Sequence, residues 1–131
     1  MTRRSHCPIV FALDLIGDKW SLLILRDIIL MDKKFYKDFS DSQEGISTNI
    51  LADRLAKLEK AKIIFKKRDS VDKKRFIYSP TEKGLDLIPM MLAMVLWSGQ
   101  YDKKTAVQPD VLKRLRKDPK KFAENLKKQF R

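Results

Sequence analysis

One stretch of twenty residues, Gly45 to Ile64 (GISTNILADRLAKLEKAKII), constrains the fold more than any other part of the chain. Leu51, Leu55 and Leu58 follow one another at steps of four and three residues, so on a helix they share one face. Ser47 can cap that helix by accepting a hydrogen bond from a free amide in its first turn. The opposite face mixes polar, small and cationic residues: Asn49, Ala52, Asp53, Ala56, Lys57 and Lys60. The stretch therefore predicts an amphipathic helix that presents one face to a partner.

Two helices are predicted at the start of the chain. The first opens at Cys7 and Pro8, where the missing proline amide is not needed, and stops at Gly17. Asp18 can cap the second, which runs from Lys19 to about Leu30 and is apolar nearly all round. A helix of that composition belongs at the centre of a core.

A short third helix is predicted where Phe35, Tyr36 and Phe39 recur at helical spacing, and Gly45 marks the tight connection that follows. A helix, a turn with glycine and a second helix with an exposed polar face form the helix-turn-helix arrangement. In that arrangement the second helix enters the major groove of DNA.

A hairpin is predicted directly after the helix-turn-helix. Residues 63–68 (IIFKKR) and 75–79 (RFIYS) are short, partly alternating and rich in Ile, Phe and Tyr, and the charged segment DSVDKK separates them. A helix-turn-helix followed by a basic hairpin is a winged helix. From Arg54 to Arg75 there are ten cations and three acids, so more than half of the net charge lies on the predicted helix and wing.

The last third of the chain is predicted to be helical. Thr81 is a candidate cap of a long helix that reaches about Tyr101 and is kinked at Pro89. Its apolar surface exceeds what a lone surface helix needs, so part of it should pack against a second subunit. Two further helices are predicted to start near Pro109 and Pro119, and residues 101–131 carry eleven cations and four acids.

Composition restricts the kind of protein. A chain of 131 residues is long enough for one domain, and we expect a domain over 1–101 with residues 102–131 as its basic helical extension. The net charge of +12 favours polyanionic partners, nucleic acid first and acidic membrane second.

Asp14 and Asp18 interrupt the first apolar run, so we expect neither a signal peptide nor a membrane span. We therefore expect a cytoplasmic location. With one Cys and one His, we expect no metal site, no cofactor and no enzymatic activity.

Several motifs together resemble the HxlR-type winged-helix transcriptional regulators of bacteria: CP at 7–8, LDLIGDKW at 13–20, LLILR at 22–26, Phe35, Phe39, GISTNILADRLAKLE at 45–59, YSPTEKG at 78–84 and Trp97. The resemblance covers about three quarters of the chain. It implies a mostly α fold with a small β-hairpin, a winged helix-turn-helix domain with terminal dimerisation helices. It also implies a homodimer with the Ser47 helix in the major groove of double-stranded DNA, and a repressor or activator of neighbouring genes. Some relatives are switched by oxidation of a cysteine near the N-terminus.

The chain departs from the family in two places. After the Ser47 helix, which we call the reading helix, the family usually has a glycine and an apolar residue, where this chain has Ala61 and Lys62. The wing lacks the frequent Pro-Pro pair and carries Asp72, Lys73 and Lys74, which leaves the path of the wing open. The basic tail lies outside the shared region.

The predicted DNA-contacting residues lie on the reading helix and the wing. Asn49 could pair with adenine, and the first turn favours phosphate. Asp53 could accept from cytosine, reject wrong sequences or simply pair with Lys57 one turn on. The other cations are expected to contact phosphate or to remain solvated. The full set is Ser47, Thr48, Asn49, Ala52, Asp53, Arg54, Lys57, Lys73, Lys74 and Arg75.

Cys7 is a candidate redox sensor, because a thiol at a helix N-terminus near Arg3 and Arg4 should react readily with oxidants or electrophiles. The alternative is a small, buried cap residue without regulatory use. A small molecule is a further candidate for the signal that controls the regulator. The predicted dimer interface consists of Val10, Phe11, Leu92, Val95, Leu96 and Trp97.

The sequence thus predicts a dimeric, sequence-specific DNA-binding regulator. The alternative is a nucleic-acid-binding or architectural protein that uses its charge without distinguishing sequences. A ratio near one between the affinities for a specific and a random DNA sequence would indicate that alternative.

Overall fold

The computed structural model describes residues 5–131, so Arg3 and Arg4 lie outside the described residues. The described chain contains eight helices and two strands. In chain order they are α1 (Pro8–Ile16), α2 (Lys19–Ile29), α3 (Tyr36–Ser40), α4 (Thr48–Lys60), β1 (Ile64–Arg68), β2 (Phe76–Pro80), α5 (Glu82–Leu85), α6 (Ile88–Tyr101), α7 (Pro109–Lys117) and α8 (Pro119–Lys128). The predicted fold class, mostly helical with a small hairpin, is confirmed.

The first two helices begin and end where their capping residues predict. Cys7 precedes α1, Pro8 occupies its first turn, and Gly17 follows its last residue. The carboxylate of Asp18 caps α2 by accepting hydrogen bonds from the amide of Ser21 at 3.0 Å and from its hydroxyl at 2.6 Å. Because α2 is apolar on most sides, it supplies much of the core of its unit, including the buried Ile24, Leu25, Ile28 and Ile29.

The reading helix α4 is shorter than the predicted stretch, since it spans Thr48–Lys60. Gly45 takes a left-handed conformation (φ 73°) in the turn from α3, and Ser47 Oγ accepts from the Ile50 amide at 3.3 Å. Leu51, Leu55 and Leu58 are buried, as the spacing predicts.

A Schellman motif ends α4. The Lys62 amide donates to the Glu59 carbonyl at 2.9 Å, and the Ile63 amide donates to the Leu58 carbonyl at 3.0 Å. Ile63 and Leu58 are both buried, which supplies the apolar contact that usually accompanies this motif. Lys62 occupies the left-handed position with φ 61°, where glycine is the usual residue.

The hairpin pairs β1 with β2 in antiparallel register, from Ile64 opposite Pro80 to Arg68 opposite Phe76. Both strands lie within one residue of the predicted segments. The Tyr78 amide also donates to the carbonyl of Lys34 at 2.8 Å, so the segment before α3 is tied to β2. With the helix-turn-helix of α3 and α4, this hairpin completes a winged helix-turn-helix.

The prediction of one long helix from Thr81 to Tyr101 with a kink at Pro89 is wrong. The chain forms the short α5 and then α6, with Pro89 in the first turn of α6. A proline there needs no amide partner and already has a helical φ, so it starts a helix instead of bending one. Pro109 and Pro119 likewise start α7 and α8, as predicted, and Asp118 caps α8 through the Lys121 amide at 3.1 Å.

The chain divides into two compact units, Met1–Glu82 and Lys83–Arg131. The first contains the winged helix-turn-helix. The second contains α6, α7 and α8 around Leu85, Ile88, Met91, Leu92, Leu112 and Leu115, all buried. The predicted organisation as a domain over 1–101 with a tail stays a prediction. Over the described residues 5–131, no helix combines the length and apolarity that crossing a bilayer requires.

Candidate nucleic-acid interface

The outward face of α4 is exposed and makes few contacts with the rest of its unit. It comprises Thr48, Asn49, Ala52, Asp53, Ala56, Lys57 and Lys60. Within residues 5–131 the side chains of Thr48, Asn49 and Lys57 make neither a hydrogen bond nor an ion pair. Their donors and acceptors are therefore available to an external partner.

The first turn of α4 is held by α3. The hydroxyl of Tyr36 donates to the carbonyl of Thr48 at 3.2 Å, while Ser47 Oγ caps the helix from the other side of the turn. Sequence reasoning treated Tyr36 only as a member of the apolar spacing of α3 and missed this contact. The contact ties the first residue of α4 to α3.

Arg54 is held by two carboxylates. Its Nε donates to Asp18 Oδ2 at 2.8 Å, and its Nη1 pairs with the adjacent Asp53. The proposed pairing of Asp53 with Lys57 is therefore not the contact that forms. Burial alone would raise the pKa of Asp18, but hydrogen bonds from Ser21 and Arg54 and the nearby guanidinium charge outweigh it and lower that pKa to about 2.

A second ion-pair group holds the turn between α3 and α4. Arg26 on α2 makes two hydrogen bonds to the carboxylate of Glu44, at 2.8 and 2.9 Å, and a third contact at 2.7 Å to the buried carboxylate of Asp27. Lys33 Nζ is 3.8 Å from the same Asp27 oxygen. The hydrogen bonds from Arg26 lower the pKa of Glu44 to about 2. Sequence reasoning did not identify this group, because Glu44 lies 18 residues from Arg26 along the chain.

The cations of the wing fall into two classes. Lys73 and Lys74 at the tip are exposed and make no side-chain ion pair within the described residues. Arg75, in contrast, donates to Asp69 Oδ2 at 2.7 Å and its guanidinium lies 3.9 Å from the centre of the Phe35 ring. The hydrogen bond from Arg75 lowers the pKa of Asp69. Arg75 thus braces the hairpin against the segment before α3.

Cys7 is exposed at the start of α1. Its side chain makes no capping hydrogen bond, whereas its carbonyl accepts from the amide of Phe11 at 3.0 Å. The alternative prediction of a buried cap residue is therefore wrong, and the thiol is open to reagents in solution.

The predicted interface residues differ in exposure. On α6, Trp97 is 68% exposed and its ring lies 5.4 Å from that of Tyr101, whereas Leu92 is only 4% exposed. Leu92 therefore packs inside its own unit, and its predicted contact with a partner stays a prediction. Phe11 on α1 is 46% exposed. Val10, Val95 and Leu96 are half-buried.

A cavity of about 460 Å³ lies in the second unit, between α6 and α8. Its wall includes Ile88, Leu92 and Ala123, and a 2.7 Å ion pair between Lys127 and Asp86 lies at its edge. Its volume falls in the range of small-molecule sites. A small-molecule signal nevertheless stays a prediction.

Two regulators of known sequence are similar to this chain. The uncharacterized HTH-type transcriptional regulator sll1512 of Synechocystis is 34% identical over 88 residues, which cover 67% of this chain and 64% of that protein. The chain therefore spans less than two thirds of that relative's length. The HTH-type transcriptional regulator YodB of Bacillus subtilis is 33% identical over 99 residues, covering 74% of this chain and 87% of YodB.

Solved structures share the fold. The structure of PA1607 matches with a TM-score of 0.72 at 30% identity and covers 81% of this chain and 75% of PA1607. The redox regulator HypR in its oxidized form matches with a TM-score of 0.63 at 30% identity, covering 74% of this chain and 99% of HypR. The sequence pattern of the HxlR-like helix-turn-helix family matches residues 15–106. With its capped reading helix and paired hairpin, the chain belongs to the HxlR-like helix-turn-helix family of transcriptional regulators.

Proposed function

We propose that this protein is a homodimeric regulator that binds specific sequences in double-stranded DNA and thereby controls transcription. One observation carries the proposal: a helix capped at its first turn exposes Asn49 and Lys57 beside a hairpin with Lys73 and Lys74 at its tip, and none of these side chains has an ion-pair partner among residues 5–131. A major groove accepts a helix of this kind, and the phosphates beside it attract the cations. The proposal includes a cytoplasmic location, because a regulator of this kind must reach the DNA.

The residues divide into a sequence-reading group and a backbone-binding group. Asn49 is the candidate for base recognition, because a side-chain amide pairs with adenine through two hydrogen bonds. Ser47 and Thr48 lie where the helix N-terminus favours phosphate. Lys57, Lys73 and Lys74 neutralise phosphates without reading sequence.

Arg54 and Arg75 have a different part in this proposal. Each guanidinium is already held by a carboxylate, Asp18 or Asp69, and would have to leave it to grip a phosphate. We therefore assign them to positioning the reading helix and the wing, with phosphate contact as their secondary role. Ala52 and Asp53 lie on the face that would enter the groove. Asp53 would enter the groove while paired with Arg54.

Dimerisation is supported by apolar side chains that the single chain leaves exposed. On α6 these include Met94, Trp97 and Tyr101, and on α1 they include Ile9 and Phe11. Exposed aromatic groups of this size are unusual on a monomer and are typical of interfaces. Two copies of the reading helix would then contact two half-sites about one turn of DNA apart, which is about 10 base pairs.

A redox response through Cys7 is the finer part of the proposal. It is supported by the exposure of the thiol at the start of α1 and by the similarity to HypR, which is described as a redox regulator. With a single cysteine per chain, the oxidised form would be a disulfide between two subunits or a mixed disulfide with a small thiol.

The test is selection of bound duplexes from a pool of random sequence, followed by affinity measurements against random duplex over a range of salt concentrations. We expect one enriched two-fold symmetric motif, bound about 10³-fold or more tightly than random DNA. Absence of any enriched motif, with a ratio near one at every salt concentration, would overturn specific regulation and support the architectural alternative.

A further inference from the structure

Residues 109–128, in the last two helices and the junction between them, carry eight cations and three acids, Asp110, Asp118 and Glu124. Seven of these cations form what we call the C-terminal basic face: Lys113, Arg114, Arg116, Lys117, Lys120, Lys121 and Lys128, all of them exposed. The first four residues lie on α7 and the last three on α8. The region matched by the family pattern ends at residue 106, so this surface lies beyond it.

Among residues 5–131, no ion pair neutralises the cations of this face. Lys127 pairs with Asp86 at 2.7 Å, and neither residue belongs to the face. Asp118 is occupied in capping α8. Arg114 makes a cation–π contact, with its guanidinium 5.8 Å from the ring of Phe122. None of the seven cations makes an ion pair within the described residues, so their combined field attracts an external polyanion.

The apolar sides of the same helices are already in use. Leu112 and Leu115 on α7 are buried, and a Cβ on Gly99 of α6 would lie only 2.8 Å from a methyl of Leu112, so α7 packs directly on α6. Phe122 and Leu126 on α8 are half-buried. A basic amphipathic helix binds a membrane by inserting its apolar face, and here that face is occupied. The exposed surface of the two helices is polar with an excess of cations over the acids Asp110, Asp118 and Glu124, which suits a phosphate backbone better than the interior of a lipid bilayer.

We propose that the C-terminal basic face is a second, sequence-independent contact with the phosphate backbone of double-stranded DNA. The proposal rests on the proposed function, because it extends the footprint of a DNA-binding protein. Lys113 and Lys117 are one helical turn apart, about 6 Å along the axis, so both can meet the same backbone. Each phosphate neutralised releases counterions, which makes binding more sensitive to salt.

The experiment compares two double variants of the full chain that remove the same charge from the same unit. The face variant is Lys113→Gln with Lys117→Gln, and the control is Lys103→Gln with Lys104→Gln, in the segment between α6 and α7. Affinity is measured for the selected duplex and for random duplex at several salt concentrations. Circular dichroism checks that both variants remain folded.

We expect the face variant to flatten the plot of log affinity against log salt by about 0.9 for each phosphate that is no longer neutralised. Affinity for selected and random duplex should fall by the same factor, and the control should match the unaltered protein. A face variant with an unchanged slope, or a control whose affinity falls as much as that of the face variant, would overturn the proposal.

A membrane partner is tested with vesicles containing anionic phospholipid. Vesicle binding that disappears in the face variant, together with an unchanged DNA slope, would assign the face to lipid and overturn the proposal. Failure of the proposed function can be told apart from failure of this proposal. In the first case the unaltered protein shows no preference for any duplex, but the slope of log affinity against log salt can still be compared between variants on random duplex.

Discussion

Asp18, which precedes α2, and Arg54 on the reading helix are joined by a 2.8 Å ion pair. The same carboxylate caps α2 through Ser21, so one side chain sets both the start of the core helix and the position of α4. The exposed face of α4 is therefore presented by a rigid support. Preorganisation of this kind reduces the entropy lost on binding.

Replacing Asp18 by Asn should destabilise the protein by about 1 to 2 kcal/mol at neutral pH, because it removes the ion pair and weakens the cap. The pKa of Asp18 is lowered to about 2 from its usual 3.8, so its contribution is full above about pH 4 and is lost as the pH falls through 2. Urea unfolding at several pH values measures this. The difference between the two proteins should narrow from pH 4 to pH 2. Asp41→Asn, an exposed acid outside these contacts, is the control, and an equal loss in both variants would contradict the role of the pair.

Asn49→Ala and Lys73→Ala should affect DNA binding in different ways. The first removes a base-reading group, so the free-energy preference for the selected duplex over random duplex should fall by about 1 to 3 kcal/mol. The second removes a phosphate contact, so it should weaken all sequences alike and reduce the salt slope by about one. Equal effects of the two changes on selected and random duplex would refute this division between the helix and the wing.

Lys62→Gly should stabilise the protein by about 0.5 to 1 kcal/mol. Lys62 sits at φ 61°, where a side chain is strained, and glycine relieves the strain while adding some unfolded-state entropy. Thermal unfolding detects the change, and Lys57→Gly, at an exposed position inside α4, should instead destabilise by about 1 kcal/mol. A loss of stability at both positions would show that the Schellman geometry places no strain on Lys62.

Cys7→Ser should abolish any effect of oxidation on DNA binding. Hydrogen peroxide converts the thiol to a sulfenic acid, which a second thiol turns into a disulfide with release of water. We expect peroxide to change the affinity of the unaltered protein for its selected duplex and to leave the variant unchanged. Unchanged affinity after complete modification of the Cys7 thiol would rule out sensing by this residue.

Trp97→Ser should weaken the homodimer, because it removes the most exposed aromatic ring of α6. Loss of a central aromatic anchor typically costs an interface about 2 kcal/mol or more. Sedimentation equilibrium over a concentration series gives the dissociation constant. Val71→Ser, a similarly exposed apolar residue at the hairpin tip, should leave it unchanged. If both variants associate as the unaltered chain does, the interface lies elsewhere.

The sequence by itself determined most of the secondary structure. Asp18 and Ser47 were identified as caps, and the prolines at 109 and 119 as helix starts, because each acts on amides within three or four residues of itself. The leucine spacing of α4 determined which face is buried and therefore which face is available. The error at Pro89 has the same local origin, since a proline between two apolar segments can either kink one helix or start another.

Only the tertiary structure decided which charges remain free. Arg54, Arg75 and Lys73 are alike as surface cations in the sequence. In the structure Arg54 is held by a carboxylate 36 residues away and Arg75 by Asp69 and the Phe35 ring, whereas the Lys73 ammonium makes no ion pair in the described part of the protein. Likewise Leu92 and Trp97 share one apolar helix, and packing buries the first while leaving the second exposed. An ion pair or a buried contact depends on the distance between elements, and that distance is fixed only when the helices pack.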